Sequence, residues 1–101
     1  MTVSNLGQLY KEMGKYDLAE SYLKKALLLL PTLELALGGL GEIYLNQQRY
    51  DDAIIYFKKA SEYKADNPAY HRQLAVCYKA KHMDAEAQKE LDEYERLNKN
   101  R

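Results

Sequence analysis

The sequence predicts an all-α fold, an α-solenoid of three antiparallel helix-turn-helix hairpins with six helices. Three observations carry that expectation. Leu6-Gly7-x-x-Tyr10 returns as Leu40-Gly41-x-x-Tyr44 and again as Leu74-Ala75-x-x-Tyr78, each step being 34 residues. A second series keeps the same interval: Ala19, Ala53 and Ala87, each followed four residues on by Leu23, Phe57 or Leu91. Finally, only 2 Pro and 5 Gly interrupt 101 residues in which Ala, Leu, Lys, Glu and Tyr dominate, a mixture that favours helix. A fixed period of this size marks stacked supersecondary units, because one such unit cannot bury its apolar face alone.

Taken in order, the elements are expected at about 2–13, 16–30, 33–46, 50–63, 68–81 and 84–98. Val3, Leu6 and Tyr10 lie three and four apart, as one stripe of a first helix does; Ala19, Leu23 and Ala26 do the same in a second. Gly14-Lys15 separates these two helices. Pro31-Thr32 closes the first unit, with Thr32 placed to cap the third helix. Asn67-Pro68 is a start signal for the fifth, with Asn as N-cap and Pro at the first helical position. Asp17, Asp51 and Asp52 fall in first turns, where the helix dipole favours negative charge. Small residues at Gly7, Gly41 and Ala75, and at Ala19, Ala53 and Ala87, let neighbouring helices approach closely. The chain thus reads as a single domain with units at about 1–33, 34–67 and 68–101.

These residues resemble the tetratricopeptide repeat over essentially the whole chain. The family pattern runs Trp-x-x-Leu-Gly-x-x-Tyr, then Ala-x-x-x-Phe, then Pro. The first unit supplies Leu6, Gly7, Tyr10, Gly14, Ala19, Ala26 and Pro31. The second supplies Leu40, Gly41, Tyr44, Ala53, Phe57 and Ala60, and the third Leu74, Ala75, Tyr78, Ala87 and Leu91. Val3, Leu37 and His71 stand where Trp is common, Ala65 replaces the closing Pro, and Asp84 replaces the Tyr16/Tyr50 element. The resemblance implies a right-handed superhelical stack and a non-catalytic adaptor that receives a peptide or helix of another protein in its concave groove. A self-association or assembly segment of a larger scaffold is the alternative, with the uncapped terminal hairpins as a possible route to a homo-oligomer. The pentatricopeptide repeat, an RNA reader, has a period nearer 35 residues and a basic surface, and fits less well.

Composition narrows the function classes. Acids and bases balance at 15 each, so no net field draws the chain to nucleic acid or a membrane surface. The longest apolar run, Ala26 to Pro31, falls far short of the roughly 18 residues of a spanning helix, and no secretory signal is expected. The 1 Cys excludes an internal disulfide and is compatible with a reducing compartment. No catalytic residue, metal site or cofactor is expected. His71 and His82 have no carboxylate at a metal spacing, Cys77 reads as a packing residue, and there is no phosphate loop or nucleophile elbow. Most of the 10 tyrosines recur with the repeat and read as packing; Tyr63, Tyr70 and Tyr94 are less constrained. The acids from Asp84 onward read as the solvated face of a terminal helix.

The first helix of each unit should line the concave side. At about 100° per residue, a stripe roughly 130° from the core stripe holds Ser4, Gln8, Lys11 and Glu12. The matching places are Gly38, Glu42, Leu45 and Asn46, then Arg72, Val76, Lys79 and Ala80; Met1, Leu35 and Ala69 extend the row. In the family these places form the peptide groove. This row suits a segment carrying a few apolar side chains and some acid. Members that grip the C-terminal carboxylate of heat-shock chaperones use Lys and Asn on the first groove helix, Asn on the second, and Lys plus Arg on the third. Here those places hold Ser4, Gln8, Gly39, Ala69 and Gln73, so no chaperone-tail binding is expected. Gly38-Gly39 reads as a tolerated weak spot in a helix or a close approach by ligand backbone; the former predicts a higher melting point when both become Ala.

Overall fold

The computed structural model describes residues 3–99, with side chains from Asn5 onward; Met1 and the side chain of Ser4 lie outside the described residues. Six helices follow one another: α1 (Val3–Glu12), α2 (Tyr16–Leu29), α3 (Glu34–Asn46), α4 (Tyr50–Tyr63), α5 (Pro68–Ala80) and α6 (Asp84–Lys99). They pair as α1–α2, α3–α4 and α5–α6, and consecutive pairs stack through α2–α3 and α4–α5, with α1 also against α3. The architecture is an all-α helical repeat solenoid.

Within each of the first two pairs a long side chain of the second helix lies over a glycine of the first. A Cβ added at Gly7 would stand 2.6 Å from a Leu23 methyl, and one at Gly41 would stand 2.8 Å from the Phe57 ring. Ala19, Ala53 and Ala87 are buried on the facing side. Around this spine the core gathers Leu37, Leu40, Ile43, Tyr44, Leu74, Cys77 and Tyr78. Tyrosines repeat as pairs: Tyr10 stacks on Tyr22 at 5.5 Å, and Tyr44 lies 5.6 Å from Tyr56. The third unit has Glu90 at that place, and its Oε2 lies 2.9 Å from Nδ1 of His71.

The turns inside the hairpins share one geometry. Gly14, Gln48 and His82, 34 residues apart, take φ of 77°, 62° and 62°. Each residue's amide bonds back to the carbonyl three residues before it, at Lys11, Leu45 and Lys79. The next amide reaches the carbonyl five residues before it, at Tyr10, Tyr44 and Tyr78. This is a Schellman closure, whose left-handed residue is normally glycine. At the start of α5, Asn67 caps as expected, its side chain accepting from the Ala69 amide at 3.0 Å, with Pro68 at the first helical position. Thr32 does not cap α3. The N-cap is Leu33, without a side-chain bond, because α3 begins at Glu34 and Thr32 stays in the turn.

A non-glycine residue in the left-handed region costs about 1–2 kcal/mol, against roughly 0.5–1 kcal/mol of extra chain entropy for glycine. Gln48→Gly and His82→Gly are therefore each expected to stabilise the fold by roughly 0.5 kcal/mol, read as a higher midpoint in urea and thermal melts. An unchanged or lower midpoint would contradict this account of the turns.

Candidate partner-binding face

The row expected to face a partner runs along α1, α3 and α5, and the structure divides it in two. On α1 and α3 the side chains reach across between the first two units. Gln8 Nε2 donates to the Leu35 carbonyl at 3.0 Å. The Lys11 ammonium pairs with the Glu42 carboxylate. Leu45 is half-buried and packs against the core, and Asn46 Nδ2 donates to the Tyr16 hydroxyl at 3.3 Å. Glu12 and Leu35 remain exposed.

Gly38, placed in the row as a groove residue, is buried. The Tyr70 ring lies over it, so that an added Cβ would meet Tyr70 Cε1 at 2.8 Å and its hydroxyl oxygen at 2.9 Å. The Tyr70 hydroxyl donates to a Glu34 carboxylate oxygen. Burial and that bond to Glu34 raise the hydroxyl's pKa, so it stays protonated as the donor. Gly39 is filled in the same way by Gln8 Nε2 at 2.8 Å and a Leu23 methyl at 3.0 Å. The glycine pair is thus neither a tolerated weak spot nor a ligand contact; it admits side chains of the neighbouring units. Tyr70, expected to be loosely constrained, is a principal contact between the second and third units. A helical glycine pair, with tyrosine one repeat after Ala36, is the sequence signal that points to it.

On α5 the row is open. Ala69, Arg72, Val76, Lys79 and Ala80 are exposed, and neither Arg72 nor Lys79 has an ion-pair partner among the described residues. Their counterparts on α3 are Gly38, under Tyr70, and Leu45, half-buried against the core. The accessible part of the row therefore combines two cations on α5 with apolar Val76 and, on α3, Leu35.

The chain's other reactive side chains are tied into packing. Cys77 is fully buried and burial pushes its thiol up to about 11, which leaves it protonated and unreactive at neutral pH. Among the described residues no three His, Cys, Asp or Glu side chains are grouped to hold a metal ion, and no helix is long and apolar enough to cross a membrane.

Residues 10–72 match the family model for the tetratricopeptide repeat. The chain belongs to the tetratricopeptide repeat family. Members of that family typically act as protein-interaction modules without catalysis. Among solved structures, MamA AMB-1 is 28% identical with a TM-score of 0.91, over 98% of this chain and 54% of that one. MamA MSR-1 is likewise 28% identical, with a TM-score of 0.91 over 97% of this chain and 56% of that one. This chain thus spans about half the length of the MamA structures it matches. The type III secretion translocator chaperone SycD of Yersinia enterocolitica shares the fold at 23% identity and a TM-score of 0.92, over 98% of this chain and 75% of that one. No curated protein matches the sequence significantly.

Replacing a helix-interior glycine by alanine normally gains about 1 kcal/mol of helix propensity. At Gly38 the new methyl would displace the Tyr70 ring and its hydrogen bond, an overpacking cost of about 1–3 kcal/mol. Gly38→Ala is expected to lower the urea midpoint, and a higher midpoint would restore the weak-helix reading.

Proposed function

We propose that this chain is a non-catalytic interaction module that holds a peptide or helical segment of another protein against α3 and α5. The observation that supports it is the contrast along the row. Where Gln8, Lys11, Glu42 and Asn46 on α1 and α3 are taken up by contacts between the first two units, Arg72, Val76 and Lys79 on α5 are left open. A guest with a carboxylate or two and an apolar side chain satisfies Arg72, Lys79, Val76 and Leu35 together. The expected failure to bind chaperone tails stands on the same residues, since Gly39 is filled by Gln8 and Leu23 and offers nothing to a carboxylate.

Affinity capture with the unaltered chain, Arg72→Glu and Val76→Asp tests this. Both positions are exposed, so both variants should fold with unchanged circular dichroism. Guests of the groove are expected to weaken by about tenfold or more in each variant, the scale of losing a charge-assisted contact or burying a carboxylate. Partners retained equally by both variants would place binding elsewhere.

A second reading, self-association, is favoured by the first unit. Ile43 and Cys77 are 0% exposed, yet Leu9, 34 residues before Ile43, is 42% exposed, with Met13 one turn on at 54%. Two such faces are able to pair and cover each other. At the other end Tyr94 stands where Ala26 and Ala60 allow close stacking, which disfavours a head-to-tail array. Light scattering over a concentration series is expected to show a dimer that Leu9→Asp dissociates. A monomer at every concentration would remove this reading and leave the groove reading intact.

A further inference from the structure

We propose that the C-terminal end of α2, with the two clefts beside it, docks an acidic amphipathic helix from a partner protein, at a site that shares only Leu35 with the groove of α3 and α5. The run Leu27 to Leu30 ends α2. Leu27 packs against the core, but Leu28 and Leu29 are 84% and 78% exposed, and Leu30, Leu35 and Tyr63 are exposed nearby. The repeat register shows that the stack does not require leucine at these places. The second unit carries Glu62, Tyr63 and Lys64 there, and the third carries Arg96, Leu97 and Asn98. Three exposed leucines therefore serve something other than the fold, since each side chain left in water forgoes burial that proteins otherwise use.

The relief around the leucines fits a helix. On one side a cleft is walled by Ser21, Lys24 and Lys25, with Leu27, Leu28 and Tyr56 lining its apolar part. On the other side a second cleft is lined by apolar Leu30, Leu33, Leu35 and Tyr63 together with Thr32, Glu34 and Lys64. A ridge between two grooves is the surface that a helix fills by setting its own side-chain ridges into the grooves. A bilayer presents no such ridges, so the clefts favour a protein occupant.

Charge selects the sign of that occupant. Lys24 and Lys25 on α2 recur as Lys58 and Lys59 on α4, and Lys64 follows at the helix end. Lys25 and Lys59 lie 5.5 Å and 5.6 Å over the Tyr22 and Tyr56 rings, which hold them on this side. Of the neighbouring acids, Glu20 is paired with Lys24, while Glu34, which accepts from the neutral Tyr70 hydroxyl, and exposed Glu62 keep their charge, fewer than the five lysines around them. In the third unit the same two places are Asp92 and Glu93, so the basic character is confined to α2 and α4. A chain with zero net charge thus carries a local basic and apolar surface, which steers and orients an acidic amphipathic segment.

The test uses the full chain, labelled for amide chemical-shift mapping, and a synthetic amphipathic helix with a leucine stripe flanked by glutamates. The same peptide with lysine in place of glutamate, and phosphatidylcholine vesicles with and without phosphatidylserine, are the comparison probes. The acidic peptide is expected to shift amides around Leu28 and Lys25, with at least about tenfold weaker binding to Leu28→Asp and to Lys25→Glu. Arg72→Glu should leave this binding unchanged, which separates the result from the fate of the α5 groove. The proposal is overturned by an acidic peptide that does not bind, that binds both variants as tightly as the unaltered chain, or that shifts α5 instead. It is equally overturned if the lysine peptide binds as well, or if the vesicles take up the chain with the same sensitivity to Leu28→Asp.

Discussion

The packing of the first two hairpins, and their join to the third, depends on one steric constraint, the seating of a large side chain over a residue that has no Cβ. Leu23 occupies the space above Gly7, and Phe57 the space above Gly41. Between the second and third units the same device appears with Tyr70 over Gly38. Interiors pack at crystal-like density, so a single extra methyl at such a contact has nowhere to go. The helices consequently settle at one separation and one rotation, and the 34-residue register passes that geometry from one hairpin to the next. The outward stripe of α1, α3 and α5 is a by-product of the same rotation.

That stripe is not uniform, because neighbouring helices come close enough for its long side chains to reach across. Lys11 and Glu42 neutralise each other, Gln8 holds the Leu35 carbonyl, and Tyr70 covers Gly38. Each contact ties one unit to the next and removes a group from the surface offered to a partner. What is left open lies on α5, and on the apolar end of α2 that no repeat position requires. A surface ion pair such as Lys11–Glu42 adds little to stability; its larger effect is to leave Arg72 and Lys79 as the cations of the row.

Much of this was legible in the sequence. The order and ends of the helices, the Asn67-Pro68 start, the buried Ala and Leu positions and the family all follow from the 34-residue period and from local propensity. What escaped was relational. Periodicity tells which way a side chain points on its own helix, but not how far the neighbouring helix is offset along its axis. That offset decides whether Gly38 faces solvent or a tyrosine from the next unit, and whether Lys11 is free or paired with Glu42. Thr32 failed for a local reason: the turn after Pro31 runs one residue longer than the capping pattern assumes, so Leu33 occupies the cap. The exposed leucines at the end of α2 were visible only as an apolar run. Only the folded stack shows that Leu27 packs against the core while Leu28 and Leu29 stay in water.

The most direct measurement is a urea unfolding curve of Gly41→Ala against the unaltered chain, followed by circular dichroism. At Gly41 an added Cβ meets three atoms of the Phe57 ring at 2.8–2.9 Å, and Phe57 is 1% exposed and unable to move aside. If glycine seating sets the stack, the overpacking cost outweighs the roughly 1 kcal/mol of helix propensity gained, and the midpoint falls by an amount worth about 2 kcal/mol. A midpoint that rises, as helix propensity alone would have it, would contradict the account at its root.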